Sequence, residues 1–241
     1  MILFYVIIIK IGENMKKKII SIILNIILFL GFYFFSDICS LVFELLNIEL
    51  GNLSRSLVIL IIVLMELIPL LVLVIVYRKD LKDEFKPFKE NFIDNMDKYI
   101  RYWILALILM TVSNVIIELI TGSNVSNNEQ AIRNIMDVLP IYMIFSSCIC
   151  APIAEELAYR KAINKIFINK NLSIIASGIV FGLAHVLGTY SGISDLLYII
   201  PYGVFGSIFM YIYLDSKSIW NTITIHFVHN SLLVIAYLIR L

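Results

Sequence analysis

Two stretches fix the solvent in which this chain folds: IISIILNIILFLGFYFF at 19–35 and SLVILIIVLMELIPLLVLVIVY at 56–77. Apolar runs of about 18 or more residues, wound as helices, match the thickness of a bilayer. A β-barrel is built from alternating segments of roughly ten residues, and these runs are continuous. The predicted fold class is therefore all-α, a polytopic membrane helical bundle. Composition agrees, with 61% hydrophobic and 15% charged residues against roughly 45–50% and about 25% in a soluble domain. Mean hydropathy is +0.94.

The pattern predicts spans at 19–35, 56–77, 102–120, 138–159, 172–190, 196–214 and 218–239, with 36–50 as an interfacial helix or an eighth span. With the N-terminus inside, all of the 19 basic residues except Arg55, Arg133 and Arg240 fall on the cytosolic side, as the positive-inside rule requires. Topology thus accounts for the basic residues, and a net charge of +1 gives no sign of nucleic-acid binding. Cys39, Cys148 and Cys150 are too few for a disulfide framework and read as packing residues. Segment 78–101 predicts an amphipathic helix on the inner surface, interrupted near Pro87. Translation is expected to start at Met15, ahead of Lys16-Lys17-Lys18, leaving residues 1–14 outside the native protein and the first span as a retained anchor. Two regions follow: N-terminal membrane helices over 1–137 and a chemically richer core over 138–241.

Ionisable residues are costly inside a bilayer and mark function by default. The first three spans hold only Glu66, close to Pro69, and Glu118 near an outer end. The last four hold Glu155, Glu156 and Arg160, then His185, then His226, His229 and Asn230, which include every histidine of the chain. Glu156 and Arg160 stand four apart on one helix face and read as a structural ion pair. Glu155 points about 100° away and reads as the reactive carboxylate. If the fourth span continues as helix to about 168, with a turn at 169–171, Glu155 and His185 both lie ~20 Å from that turn, and Asn230 ~18 Å from the start of its own span.

One depth for an acid, imidazoles and an amide suits hydrolysis: a carboxylate and an imidazole take a proton from water, and a neighbouring donor stabilises the oxyanion. Zinc held by Glu155, His185 and His226 is the alternative chemistry. No HExxH is present to favour it. A small proton-coupled transporter is a third reading, without the inverted repeats that such proteins show.

EELAYR at 155–160, FGLAH at 181–185 and HFVHN at 226–230 fit EExxxR, FxxxH and HxxxN, in order and on successive membrane helices. The chain in this respect resembles the CAAX-protease and bacteriocin-processing family, the intramembrane proteases also called Abi proteins, over roughly 138–235. The resemblance implies a helical core with a conical cavity open to the cytosol. It implies Glu155, assisted by Glu156, and His185 as the residues that activate water, and His226 and Asn230 as assisting or oxyanion groups. It leaves zinc and a metal-free glutamate mechanism both open. Where family members have Phe-Arg-Gly, this chain has Tyr159-Arg160-Lys161, which argues against a tight turn after the arginine. The expected activity is an endopeptidase acting on a membrane-associated protein or secreted peptide, in bacteriocin or signal-peptide processing or self-immunity. A non-catalytic immunity or scaffolding protein is the alternative. Abundant Ile, Asn and Lys point to an AT-rich bacterium and its cytoplasmic membrane, with peptide and lipid as the partners.

Overall fold

Residue 15 onward begins a run of helices whose ends are set by local chemistry. A computed structural model describes residues 2–123, 125–167 and 169–239, with side chains from residue 14 onward. Most of the segment before the expected start at Met15, and Arg240, therefore lie outside the described side chains. Helix α1 covers Ile2–Tyr33 and α2 Phe35–Leu45, bent by 60° from the preceding helix. No residue of α2 is buried, which fits an interfacial helix. Helices α3 (Arg55–Glu90) and α4 (Phe92–Thr121) form a long hairpin. Ser54 caps α3 by accepting from Leu57 N, and Gly122, at φ 75°, closes α4 in the left-handed conformation that glycine adopts without strain. The short α5 (Asn127–Val138) is capped by Ser126, which accepts from Glu129 N at 3.1 Å.

The C-terminal region contains α6 (Pro140–Ile166), α7 (Lys170–Leu187), α8 (Ile199–Ser216, preceded by a 3₁₀ turn at Ile193–Tyr198) and α9 (Ile219–Ile239). Six helices among the described residues are long and apolar enough to cross a membrane, or seven if the bent α1–α2 pair is one span. No strand occurs among the described residues. Each span satisfies its own backbone hydrogen bonds, the condition a bilayer imposes.

Two expectations need correction. Segment 78–101 is not a separate surface helix broken at Pro87. α3 runs through Pro87 and the break falls at Asn91. The apolar stripe is used within the protein, where Phe85 and Phe88 pack on Trp220 with ring centroids 5.2 and 6.4 Å apart. The turn after the fourth span does not extend to 171 as expected, because Asn169 Oδ1 accepts from the N–H groups of Asn171 and Leu172 and starts α7 at Lys170.

The bundle has two unlike ends. At the lysine-rich end the helices are tightly packed around Leu73, Tyr77, Leu157, Phe209, Ile212 and Ile219. Ion pairs bind that layer together: Lys161 with Glu84, Lys165 with Asp80 at 2.5 Å, Lys98 with Asp215 at 2.6 Å. The other end is hollow, with a cavity of about 870 Å³. No residue of 70–106, 160–180 or 206–225 lines it, so its walls exclude the basic segments. The lining thus lies away from the basic segments of the chain.

Candidate active site

Helix α6 carries the two carboxylates, and its backbone is irregular on both sides of them. Wide π turns occupy Ser146–Cys150 and Glu156–Ala162, flanking the short α-helical stretch Ala151–Glu155. Such turns insert an extra residue per turn and cluster at functional positions. They rotate the side chains that follow relative to a regular helix, so Glu155 and Glu156 face different surroundings.

Glu156 and Arg160 are both 0% exposed. Glu156 Oε2 lies 3.2 Å from Arg160 Nε, near enough to pair charges but off the line of a hydrogen bond, so their attraction is Coulombic. Arg160 is held further by Nη1 donating to Ser177 Oγ at 3.2 Å, and its guanidinium lies 4.6 Å from the Phe181 ring centroid, a cation–π contact. The other carboxylate oxygen, Glu156 Oε1, is 2.9 Å from His226 Nδ1. A carboxylate paired with arginine accepts, so Nδ1 carries the proton and the Nε2 lone pair of His226 is left for the cavity. Glu156 is thus placed to set the tautomer of a histidine, and it does not line the cavity.

Glu155 lines the cavity with its side chain 19% exposed. Its Oε2 stands 4.0 Å from His185 Nε2 and 3.8 Å from His226 Nε2. Both separations exceed a direct hydrogen bond and match the span of one bridging water. His185 Nδ1 donates to the Phe181 carbonyl at 2.9 Å, so its Nε2 also presents a lone pair. The His185 ring is clamped between Phe181 and Tyr202, with centroids 4.2 and 4.6 Å away. Tyr202 is in turn fixed by hydrogen bonds between its hydroxyl and both Ser126 Oγ, at 2.9 Å, and Asn128 Nδ2, at 3.3 Å. The start of α5 thus braces the site.

The structure brings Glu155, Glu156, His185 and His226 together and lines the same cavity with Asn230, whose Nδ2 donates to the Ser147 carbonyl at 2.8 Å. The zinc alternative requires Glu155, His185 and His226 around one point at about 2.0–2.2 Å from it. Among the described residues no group of three His, Cys, Asp or Glu side chains meets that spacing as placed. The Nδ1 bonds to Glu156 and the Phe181 carbonyl nevertheless leave both Nε2 atoms facing Glu155, so the residues that would hold zinc are the same ones that face the cavity. Sequence reasoning set Glu66 aside, yet it lines the cavity and accepts from Ser146 Oγ at 2.5 Å. It also missed Tyr202, Ser177 and Trp103. Lys161 is 2% exposed and paired with Glu84, and α6 continues through it to Ile166, as the reading without a tight turn after Arg160 expected.

A multi-pass helical membrane protein with a carboxylate and two oriented imidazoles in one cavity is the class that fold and site define. Residues 137–232 match the family model described as Type II CAAX prenyl endopeptidase Rce1-like. The chain is 33% identical over 116 residues to the putative membrane peptidase YdiL of Bacillus subtilis (strain 168), covering 47% of this chain and 44% of that protein. It is 32% identical over 158 residues to the membrane-embedded CAAX protease MroQ of Staphylococcus aureus (strain USA300), covering 59% and 60%. With the UPF0177 protein YaiH of Lactococcus lactis subsp. lactis (strain IL1403) it shares 32% over 105 residues, 44% and 42% of the two chains. These matches span about half the length of the relatives. No solved structure matches the chain. The likeness to the Rce1-like CAAX endopeptidases is carried by the C-terminal segment, residues 137–232.

Proposed function

We propose that the chain is an intramembrane endopeptidase in which Glu155 and His185 activate a water molecule. The observation that carries this reading is the pair of separations of 4.0 and 3.8 Å between Glu155 Oε2 and two imidazole nitrogens whose partner nitrogens are already committed. Water held there gives one proton to the Glu155 carboxylate, with its other hydrogen directed to an imidazole Nε2, as its oxygen bonds to the peptide carbonyl carbon. The tetrahedral oxyanion then collapses, the C–N bond breaks, and the same proton passes to the departing amine. His226 steadies the water, and Glu156 with Arg160 steadies His226.

The proposed substrate is an extended segment of a secreted peptide or membrane-associated protein, since the cavity of about 870 Å³ accepts a few residues of chain. Bacteriocin or peptide-signal processing and self-immunity are the settings we favour, in a bacterial cytoplasmic membrane with the N-terminus inside. In that orientation the substrate reaches the site from the outer side. To test the activity, the full chain in lipid nanodiscs is offered a pool of quenched fluorescent peptides, and the best-cleaved member is compared with Glu155→Ala and His185→Ala. The expected loss in each is about 10²–10⁴-fold; equal cleavage by both variants would end the hydrolytic reading.

A further inference from the structure

A third histidine faces the same cavity, outside the motif positions. His229 follows His226 by one turn of α9, and the two rings flank Phe205, with centroids 4.8 and 5.2 Å from it. Nδ1 of His229 is 3.4 Å from the indole Nε1 of Trp103 on α4. An indole N–H only donates, so Nδ1 is the acceptor and the neutral ring carries its proton on Nε2. Among the described residues Nε2 has no hydrogen-bond partner and is not among the side-chain atoms sealed from solvent, while His229 lines the cavity. That N–H is therefore left without a protein acceptor on a residue that lines the cavity. Asn230, by contrast, spends an amide hydrogen on the Ser147 carbonyl at 2.8 Å and so holds α9 to the first wide turn of α6.

We propose that His229 Nε2–H donates to the carbonyl oxygen of the scissile peptide and stabilises the oxyanion, with Trp103 as the positioning residue that fixes its tautomer. The proposal rests on the peptidase reading and adds His229 to Asn230, whose amide keeps a second hydrogen, as a donor to the oxyanion. The donor is in place before the reaction and reorganises little as charge develops, the condition under which such groups contribute most.

The test has one arm that does not depend on activity. The chain holds only three histidines, so ¹⁵N-histidine spectra of the full chain in nanodiscs are assignable with His185→Gln, His226→Gln and His229→Gln. His229 is expected to be protonated at Nε2, and Trp103→Phe to lose that preference. In the second arm, on the best-cleaved peptide of the pool, His229→Leu lowers kcat by about 10²–10³-fold with little change in KM. His229→Gln, which keeps an N–H donor, recovers part of that loss. If the leucine variant does not fold, as judged by its melting curve, His229→Gln and Trp103→Phe decide, each with a partial fall in kcat. A proton on Nδ1 overturns the proposal, as does an unchanged kcat in these variants of a protein that Glu155→Gln inactivates. Cleavage that survives Glu155→Gln, or no cleavage of any peptide by the unmodified chain, brings down the peptidase reading and this inference with it, whatever the spectra give.

Discussion

Arg160 shows how much of this site is held by residues that need not touch a substrate. Its charge is fully buried and answered by Glu156 alone among the carboxylates within ion-pair range. Removing one member of such a pair strands the other in a low-dielectric interior, which costs about 3–5 kcal/mol. Arg160→Met is therefore expected to lower thermal stability in detergent by that order, read from a melting curve. The double variant Arg160→Met with Glu156→Leu, which removes both charges, should recover much of it. A single variant as stable as the parent would show that Glu156 is held neutral and does not orient His226 as an anion. The i, i+4 spacing made this pair legible in the sequence. The third partner, Ser177, was not, because it comes from another helix and serine is unremarkable in a span.

At the scale of the helix, the placement of His185 depends on how closely α7 and α8 approach. A Cβ on Gly182 would lie 2.6 Å from the Ile199 carbonyl oxygen, and one on Gly206 would lie 2.9 Å from Phe181 Cβ. Small residues allow backbones to meet this way in membranes. Gly182→Ala should push the helices apart, destabilise the protein by about 1–3 kcal/mol, and cut peptidase activity by withdrawing His185 from Glu155. An active, fully stable variant would contradict the claim that this contact sets the site. Helix number, the length of α6 and the shared depth of Glu155 and His185 followed from apolar runs and helical rise. Other features did not follow. Nothing in SSCIC or ELAYRKA announces a π turn, because residue types there are as compatible with a regular helix. The course of α3 through Pro87 was hidden as well: its apolar stripe is the same whether it meets lipid headgroups or Trp220. Trp103 and Tyr202 gain their meaning only from tertiary contacts with His229 and His185.

The molecule as a whole has a basic, packed end and a hollow end, and in the proposed orientation, with the lysines inside, the substrate comes from the outer side. In a variant without native cysteines, Asn128→Cys on the cavity wall should react with a membrane-impermeant maleimide added to intact cells. Lys217→Cys, beside the basic layer, should react only after the membrane is opened. The reverse pattern would place the cavity in the cytosol and require the lysine-rich end to face outward. Glu155 and His185 come from different helices, and only the assembled bundle brings them to 4.0 Å, the separation the proposed water would fill. The most direct test of that arrangement is a double-mutant cycle on peptide cleavage with Glu155→Gln, His185→Gln and both together. Residues that act on one water as a unit are strongly non-additive, so the double variant is predicted to be no slower than the slower single one. Losses that multiply, or a single variant with undiminished kcat, would contradict a shared water between the two.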